Sequence, residues 1–179
     1  MTYTPEPLGQ AAMSASVPVV IASDQTPLPV GGTPKQFAFA IPTTVAAYTS
    51  GMVVGGKIPI LNVARVSGGT GFVQSALINK KIAVTSMFDL YLFHTDPVNS
   101  TFTDHAALNL VSADLPYLID VISFGSYADN GTTKTLKASG LAIPFALAGT
   151  TMYVVPVIRG GETYVSTSDL SGLITALRD

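Results

Sequence analysis

The chain has 179 residues, enough for one ordinary domain with a hydrophobic core and too few for two generous ones. Charged residues make up 11% of it, where an average domain carries about 25%, and nine Lys plus Arg, dispersed except for Lys80-Lys81, give phosphates no basic stripe, which argues against nucleic-acid binding. Cysteine is absent, so disulfides, zinc-thiolate sites, iron–sulfur clusters and thiol nucleophiles are all excluded.

Residues 1–34 read as an extended arm. Pro5, Pro7, Pro18, Pro27, Pro29 and Pro34 lie there, six of the 12 prolines, and proline keeps a segment out of helices and central strands. The arm is apolar at Met13, Val17, Val19, Val20, Ile21, Leu28 and Val30, so it is expected to lie against something. Fully stretched at about 3.3 Å per residue, residues 13–30 reach roughly 60 Å, far enough for a neighbouring subunit. An edge strand folded back on its own domain is the alternative. Glu6 is the only charge before Asp24, which makes a poor signal peptide, and the chain is expected to be soluble and unprocessed.

From Gln36 the signal has period two. Phe37, Phe39 and Ile41 alternate with Ala38 and Ala40, then residues 57–63 form a candidate strand. Val73, Ser75 and Leu77 alternate with Phe72, Gln74, Ala76 and Ile78; in 87–93, Phe88, Leu90 and Leu92 oppose Met87, Asp89, Tyr91 and Phe93, the pattern of a central strand. A short helix candidate lies within 104–118, where Asp114 is placed to cap a turn over Leu115, Pro116 and Tyr117. Further strands are predicted at 118–124, 135–143, 151–158 and 170–177. Gly55-Gly56, the glycine run from Gly68 to Gly71, Asp96-Pro97, Asp129-Asn130-Gly131, Gly149 and Gly160-Gly161 supply turns between them. The charge-free run 138–158 is broken by Gly140, Pro144, Gly149 and Pro156, so no membrane helix is expected. The fold class is all-β: residues 35–179 form an antiparallel β-sandwich of jelly-roll or immunoglobulin-like type behind the extended arm.

Residues that could carry chemistry are few. His94 and His105 stand near Asp96 and Asp104, the alphabet of metal and acid–base sites, but their spacing fits no ligand pattern and a solvated polar loop is the expected reading. Calcium at the aspartates of that loop is an alternative. No G-x-S-x-G elbow is present. The run Gly68-Gly69-Thr70-Gly71 has no following Lys-Ser/Thr and leads into a strand, so it reads as a tight hairpin turn. Phe37, Phe39, Phe72, Phe88, Tyr91 and Phe93 are read as core and not as a sugar or base platform. The chain is thus expected to be no enzyme and to take no cofactor. Its missing charge must be missing from the surface, which implies that much of the surface is covered by partners.

Gly9-Gln10, Met13, Ser16-Val17-Pro18-Val19-Val20, Ala22-Ser23-Asp24-Gln25 and Pro27 resemble an arm signature recurrent in structural proteins of tailed bacteriophages. The stretches from Val63 to Gly71, Asp89 to Phe93, Ser100 to Asp104 and Thr163 to Leu170 resemble the same group of virion proteins, so the resemblance spans nearly the whole chain. It implies a head decoration, or cement, protein on the capsid surface, made in the host cytoplasm and assembled as a homotrimer. The partner would be the major capsid protein or another virion protein, held by the arm through Met13, Val17, Pro18, Val19, Val20, Ile21, Asp24, Leu28 and Val30. A tail, neck or baseplate adaptor and a glycan-binding β-sandwich are the alternatives. The resemblance brings no catalytic residues with it.

Overall fold

The computed structural model describes residues 32–178 with the exception of residue 84. The arm positions from Met13 to Val30 lie outside the described residues. Among those described, the chain forms β1 (Thr33–Ile41), β2 (Ala47–Tyr48), β3 (Ile58–Ile60), β4 (Thr70–Lys80), β5 (Met87–Phe93), β6 (Leu118–Ser123), β7 (Tyr127–Asp129), β8 (Lys134–Ala146), β9 (Met152–Arg159), β10 (Glu162–Thr163) and β11 (Leu170–Arg178), with one 3-10 turn at Leu115–Tyr117. No described helix is long and apolar enough to cross a membrane.

The strands build a five-stranded sheet in the order β1-β11-β4-β8-β7, a four-stranded sheet in the order β3-β9-β5-β6, and a small β10-β2 pair. All pairings are antiparallel. The pairs nest: β5 with β6, then β4 with β8, β3 with β9, and β1 with β11. A chain folded as one long hairpin and then rolled, so that successive pairs fall in alternate sheets, gives this order. It is the jelly roll, and it decides between the two sandwich types expected from the sequence.

Alternation explains which faces meet. Phe37, Phe39 and Ile41 of β1, Ile78 of β4, Leu136 of β8 and Ile174 of β11 point inward against Phe88, Leu90 and Leu92 of β5, Ile122 of β6 and Met152, Val154 and Ile158 of β9. Gly172 lies directly opposite Phe39 on the neighbouring strand. A Cβ at that position would come within 2.1 Å of the Phe39 ring, so glycine gives the ring its place.

The period in β4 changes phase midway. A bulge between Val73 and Ser75 leaves Gln74 unpaired, so Val73 is buried but Ser75 and Leu77 face out and Ala76 and Ile78 take over the core. The partner β8 accommodates the bulge across residues 140–142, with Gly140 at φ +71. Phe72, expected in the core, is therefore on the outer face and 48% exposed.

Other expectations are corrected. Thr33 and Pro34, assigned to the arm, belong to β1, an edge strand where proline is tolerated. The strand expected over 57–63 stops at Ile60 because Asn62 turns the chain at φ +57. The glycine run before β4 does hold a turn, closed by Gly69 N–H to the Val66 carbonyl at 3.1 Å, but it carries the chain between sheets and makes no hairpin. Over residues 104–118 the only helical element is the 3-10 turn, and the Asp114 carboxylate makes no cap to it. Instead it accepts Asn99 Nδ2 at 2.8 Å and the Ser100 backbone N–H at 2.6 Å.

Candidate partner-binding surface

The two sheets treat their outer faces differently. On the four-stranded sheet, Phe93 of β5 and Val155 and Val157 of β9 turn outward yet are fully buried, because the 94–117 segment brings Phe102, Leu108 and Leu110 over them. Asp114 helps to fix that cover. Burial opposes its ionisation, but the hydrogen bonds from Ser100 and Asn99 prevail and hold its carboxyl below the ordinary value.

The five-stranded sheet has no such cover among the described residues. Its outward side chains form four rows across β1, β11, β4 and β8: Ala40-Ser171-Asn79-Thr135, Ala38-Leu173-Leu77-Lys137, Gln36-Thr175-Ser75-Ser139 and Pro34-Leu177-Phe72-Pro144. Hydroxyl and amide rows alternate with apolar ones, and Lys137 is the only charged residue in the four rows. The apolar end continues outward. Phe72 and Pro144 border a cavity of about 380 Å³ with Thr70, Gly71, Phe145 and Ala146. Leu61 and Val66 are exposed in the loop between β3 and β4, which is held to the end of β11 where Arg178 Nη1 donates to the Asn62 carbonyl at 2.7 Å. β1 begins at this same end, with Thr33 opposite Arg178.

The histidine loop does not converge. His94 Nε2 lies 3.2 Å from the Pro116 carbonyl and its Nδ1 2.8 Å from Thr95 Oγ1, while Asp96 pairs with Lys57. His105 Nε2 lies 2.8 Å from the Ala47 carbonyl, and its ring packs edge-on against Tyr48. Asp104 accepts the Tyr48 hydroxyl at 2.9 Å, the Gly55 N–H at 2.7 Å and the Thr44 hydroxyl, and so ties the β1–β2 connection to the 94–117 segment. Among the described residues no group of three or more His, Asp or Glu side chains is placed to hold a metal ion.

A buried polar cluster went unread in the sequence. Lys80, at the inward-facing end of β4, donates to Glu162 Oε2 at 3.0 Å, to Ser86 Oγ at 2.9 Å and to the Ser86 carbonyl at 2.5 Å. The Lys80 and Glu162 side chains are 1% and 0% exposed. Burial presses both toward their neutral forms, Lys80 below and Glu162 above its ordinary pKa, and their attraction for each other opposes it. Tyr164, also buried, has its phenol pushed far up by burial and by the Glu162 carboxylate. Its hydroxyl and Glu162 Oε1 complete no hydrogen bond within the described residues. The cluster is sealed from solvent at one end of the sandwich, which suits a structural role. A lysine following Asn79 in an alternating strand is by parity inward, and that is the signal that could have found it once the bulge was known.

Of the six aromatic residues read as core, Phe37, Phe39, Phe88 and Phe93 are buried and Tyr91 is half-buried in the second cluster. Comparison of the chain with protein-family models and with curated proteins finds no match.

Proposed function

We propose that this chain is a structural subunit of a tailed-bacteriophage particle, a head decoration protein that stabilises the capsid shell by repeated protein contacts and performs no catalysis. The reading is supported first by the outer face of the five-stranded sheet. Four rows of side chains with one charge among them are a poor surface for a free monomer, whose solubility depends on interspersed charges, and a good one for an assembly. The resemblance of the arm and of the later stretches to phage virion proteins points the same way, and jelly rolls are common in viral shells. Attachment to the shell is assigned to the arm, through Met13, Val17 to Ile21, Asp24, Leu28 and Val30, in the manner of an added extended segment.

The test is the copy number of the chain in purified particles, by quantitative mass spectrometry against the major shell protein. A stoichiometric or one-to-three ratio is expected. A handful of copies per particle assigns the chain to the tail, neck or baseplate, and absence from particles overturns the virion reading. Glycan binding, which jelly rolls also perform, needs exposed rings along a groove. Four of the six candidate rings are instead spent on the core.

A further inference from the structure

We infer that Asn130 is a site of spontaneous covalent modification, converted to isoaspartate and aspartate through a cyclic imide with Gly131, and that the β7–β8 turn slows the reaction by engaging both reacting groups in hydrogen bonds. Asparagine is among the thermolabile residues, and the conversion needs only water. The Gly131 backbone nitrogen loses its proton to solvent and attacks Cγ of Asn130. The bond from Cγ to Nδ2 breaks, and ammonia leaves with a proton taken back from solvent. Water then opens the imide at either carbonyl, so one amide becomes one carboxylate and nothing is oxidised or reduced.

The choice of asparagine rests on its neighbour and its surroundings. Of the five asparagines in the chain, Asn130 alone precedes a glycine; Asn62, Asn79, Asn99 and Asn109 precede Val63, Lys80, Ser100 and Leu110, whose side chains crowd the attacking nitrogen. Asn130 and Gly131 are exposed, and a Cβ at Gly131 would meet nothing within 4 Å, so the nitrogen is open to reaction. Asn99-Ser100 is the next least hindered pair, and one buried carboxylate restrains it: Asp114 accepts Asn99 Nδ2 at 2.8 Å and the Ser100 N–H at 2.6 Å.

The turn restrains Asn130 more lightly. Asp129 stands opposite Lys134, and Asn130 N–H donates to the Thr133 carbonyl at 3.0 Å, which leaves Gly131, at φ +81, and Thr132 at the tip. Asn130 Nδ2 donates to Thr135 Oγ1 at 3.1 Å, and Thr135 in turn donates to Asn79 Oδ1 at 3.0 Å. The nucleophile is held as well, since Gly131 N–H donates to Asp129 Oδ1 at 2.9 Å while Asp129 Oδ2 lies 2.5 Å from Lys134 Nζ. Ring closure requires the turn to release both groups, so the native rate is that of a free chain multiplied by the open fraction. The bonds from Asn130 Nδ2 and Gly131 N–H are exposed and individually weak, which makes the turn a brake and not a block. Conversion replaces the donor at Nδ2 by an acceptor, lengthens the backbone of the turn in the isoaspartate form, and sets a second carboxylate beside Asp129 on a chain of formal net charge −2.

The experiment follows the purified full chain during warm storage, beside the same chain kept unfolded in guanidinium, by peptide mass spectrometry with fragmentation that distinguishes isoaspartate from aspartate. Conversion is expected at Asn130 with isoaspartate in excess, slower in the native chain than in the unfolded one by roughly tenfold. Thr135→Val, which removes the acceptor and keeps a strand-forming residue on β8, is expected to speed conversion of the native chain about threefold. Asn130→Ser is expected to remove the acidic form that wild type develops on isoelectric focusing. A native chain with no isoaspartate at Asn130 when the unfolded chain is fully converted, conversion at another asparagine as fast as at Asn130, or native and unfolded rates that agree overturns the inference. So does a Thr135→Val protein that folds and converts at the wild-type rate. Native and unfolded wild type decide the question without the variant, and no particle is needed, so the result is independent of the virion reading.

Discussion

Lys80 and Glu162 are the residues on which the interior is most sensitive to a single change. Each is fully desolvated, and each is tolerated because the other stands 3.0 Å away with Ser86 completing the lysine's donors. Removing one charge leaves its partner buried and uncompensated, which costs about 3–5 kcal/mol, whereas replacing both by apolar groups of similar volume is close to neutral or stabilising. Glu162→Gln is therefore expected to lower the unfolding free energy by about 3 kcal/mol or more, and Lys80→Met with Glu162→Leu to recover most of that loss. Chemical denaturation of wild type, Lys80→Met, Glu162→Leu and the double variant in a double-mutant cycle measures it, with Glu162→Gln beside them; additive losses would show that the pair is not coupled. The sequence displayed Lys80 only as half of a surface-like Lys80-Lys81 pair. Parity with Ala76 and Ile78 turns it inward, but its partner comes from tertiary context: β10 brings Glu162 to the end of β4 across 82 residues of chain, a separation no local pattern reports.

At the scale of elements, alternation carried the strands and failed where regularity is broken. β1 over 36–41, β5 over 87–92 and β11 over 170–177 alternate in burial and were legible as strands, including the central position of β5 between β9 and β6. β4 was legible as a strand but not in its phase, because the Gln74 bulge inverts every side chain on one side of it, and Phe72 went to the wrong face as a result. The short β2, β7 and β10 strands have two or three residues each and no period to read. The 94–117 segment was expected to be mostly loop, and in regular structure it is. Yet it behaves as a second wall of the core, stitched to residues 51–54 by Val53 N–H to the Ala106 carbonyl at 2.8 Å, His105 N–H to the Val53 carbonyl at 3.0 Å and Leu108 N–H to the Gly51 carbonyl at 3.0 Å. Amides of Val53, His105 and Leu108 are accordingly expected to exchange as slowly as those of β9, while the turn amide of Gly131 exchanges fast. Native-state hydrogen exchange decides it, and rapid exchange at all three would mean that the segment opens independently of the sandwich.

For the whole molecule, the nested pairing joins the first described strand, β1, to the last, β11. β1 is held by nine consecutive partners on β11, from Thr33 opposite Arg178 to Ile41 opposite Leu170, and its inward residues Phe37, Phe39 and Ile41 belong to the main core cluster of the sandwich. A chain lacking residues 1–31 keeps all of those contacts, so its stability should be that of the full protein, with a melting temperature changed by no more than a few degrees. If the arm carries attachment, the same truncation should abolish binding to shells stripped of this subunit. The two readouts are independent, and their combination is informative: a domain that melts as before and no longer binds places the attachment in Met13 to Val30, whereas one that melts as before and still saturates shells at unchanged affinity moves the attachment onto the sandwich itself. A large drop in melting temperature would instead mean that the arm completes its own domain, with the edge of β1, which has no partner strand among the described residues, as the natural place for an added strand.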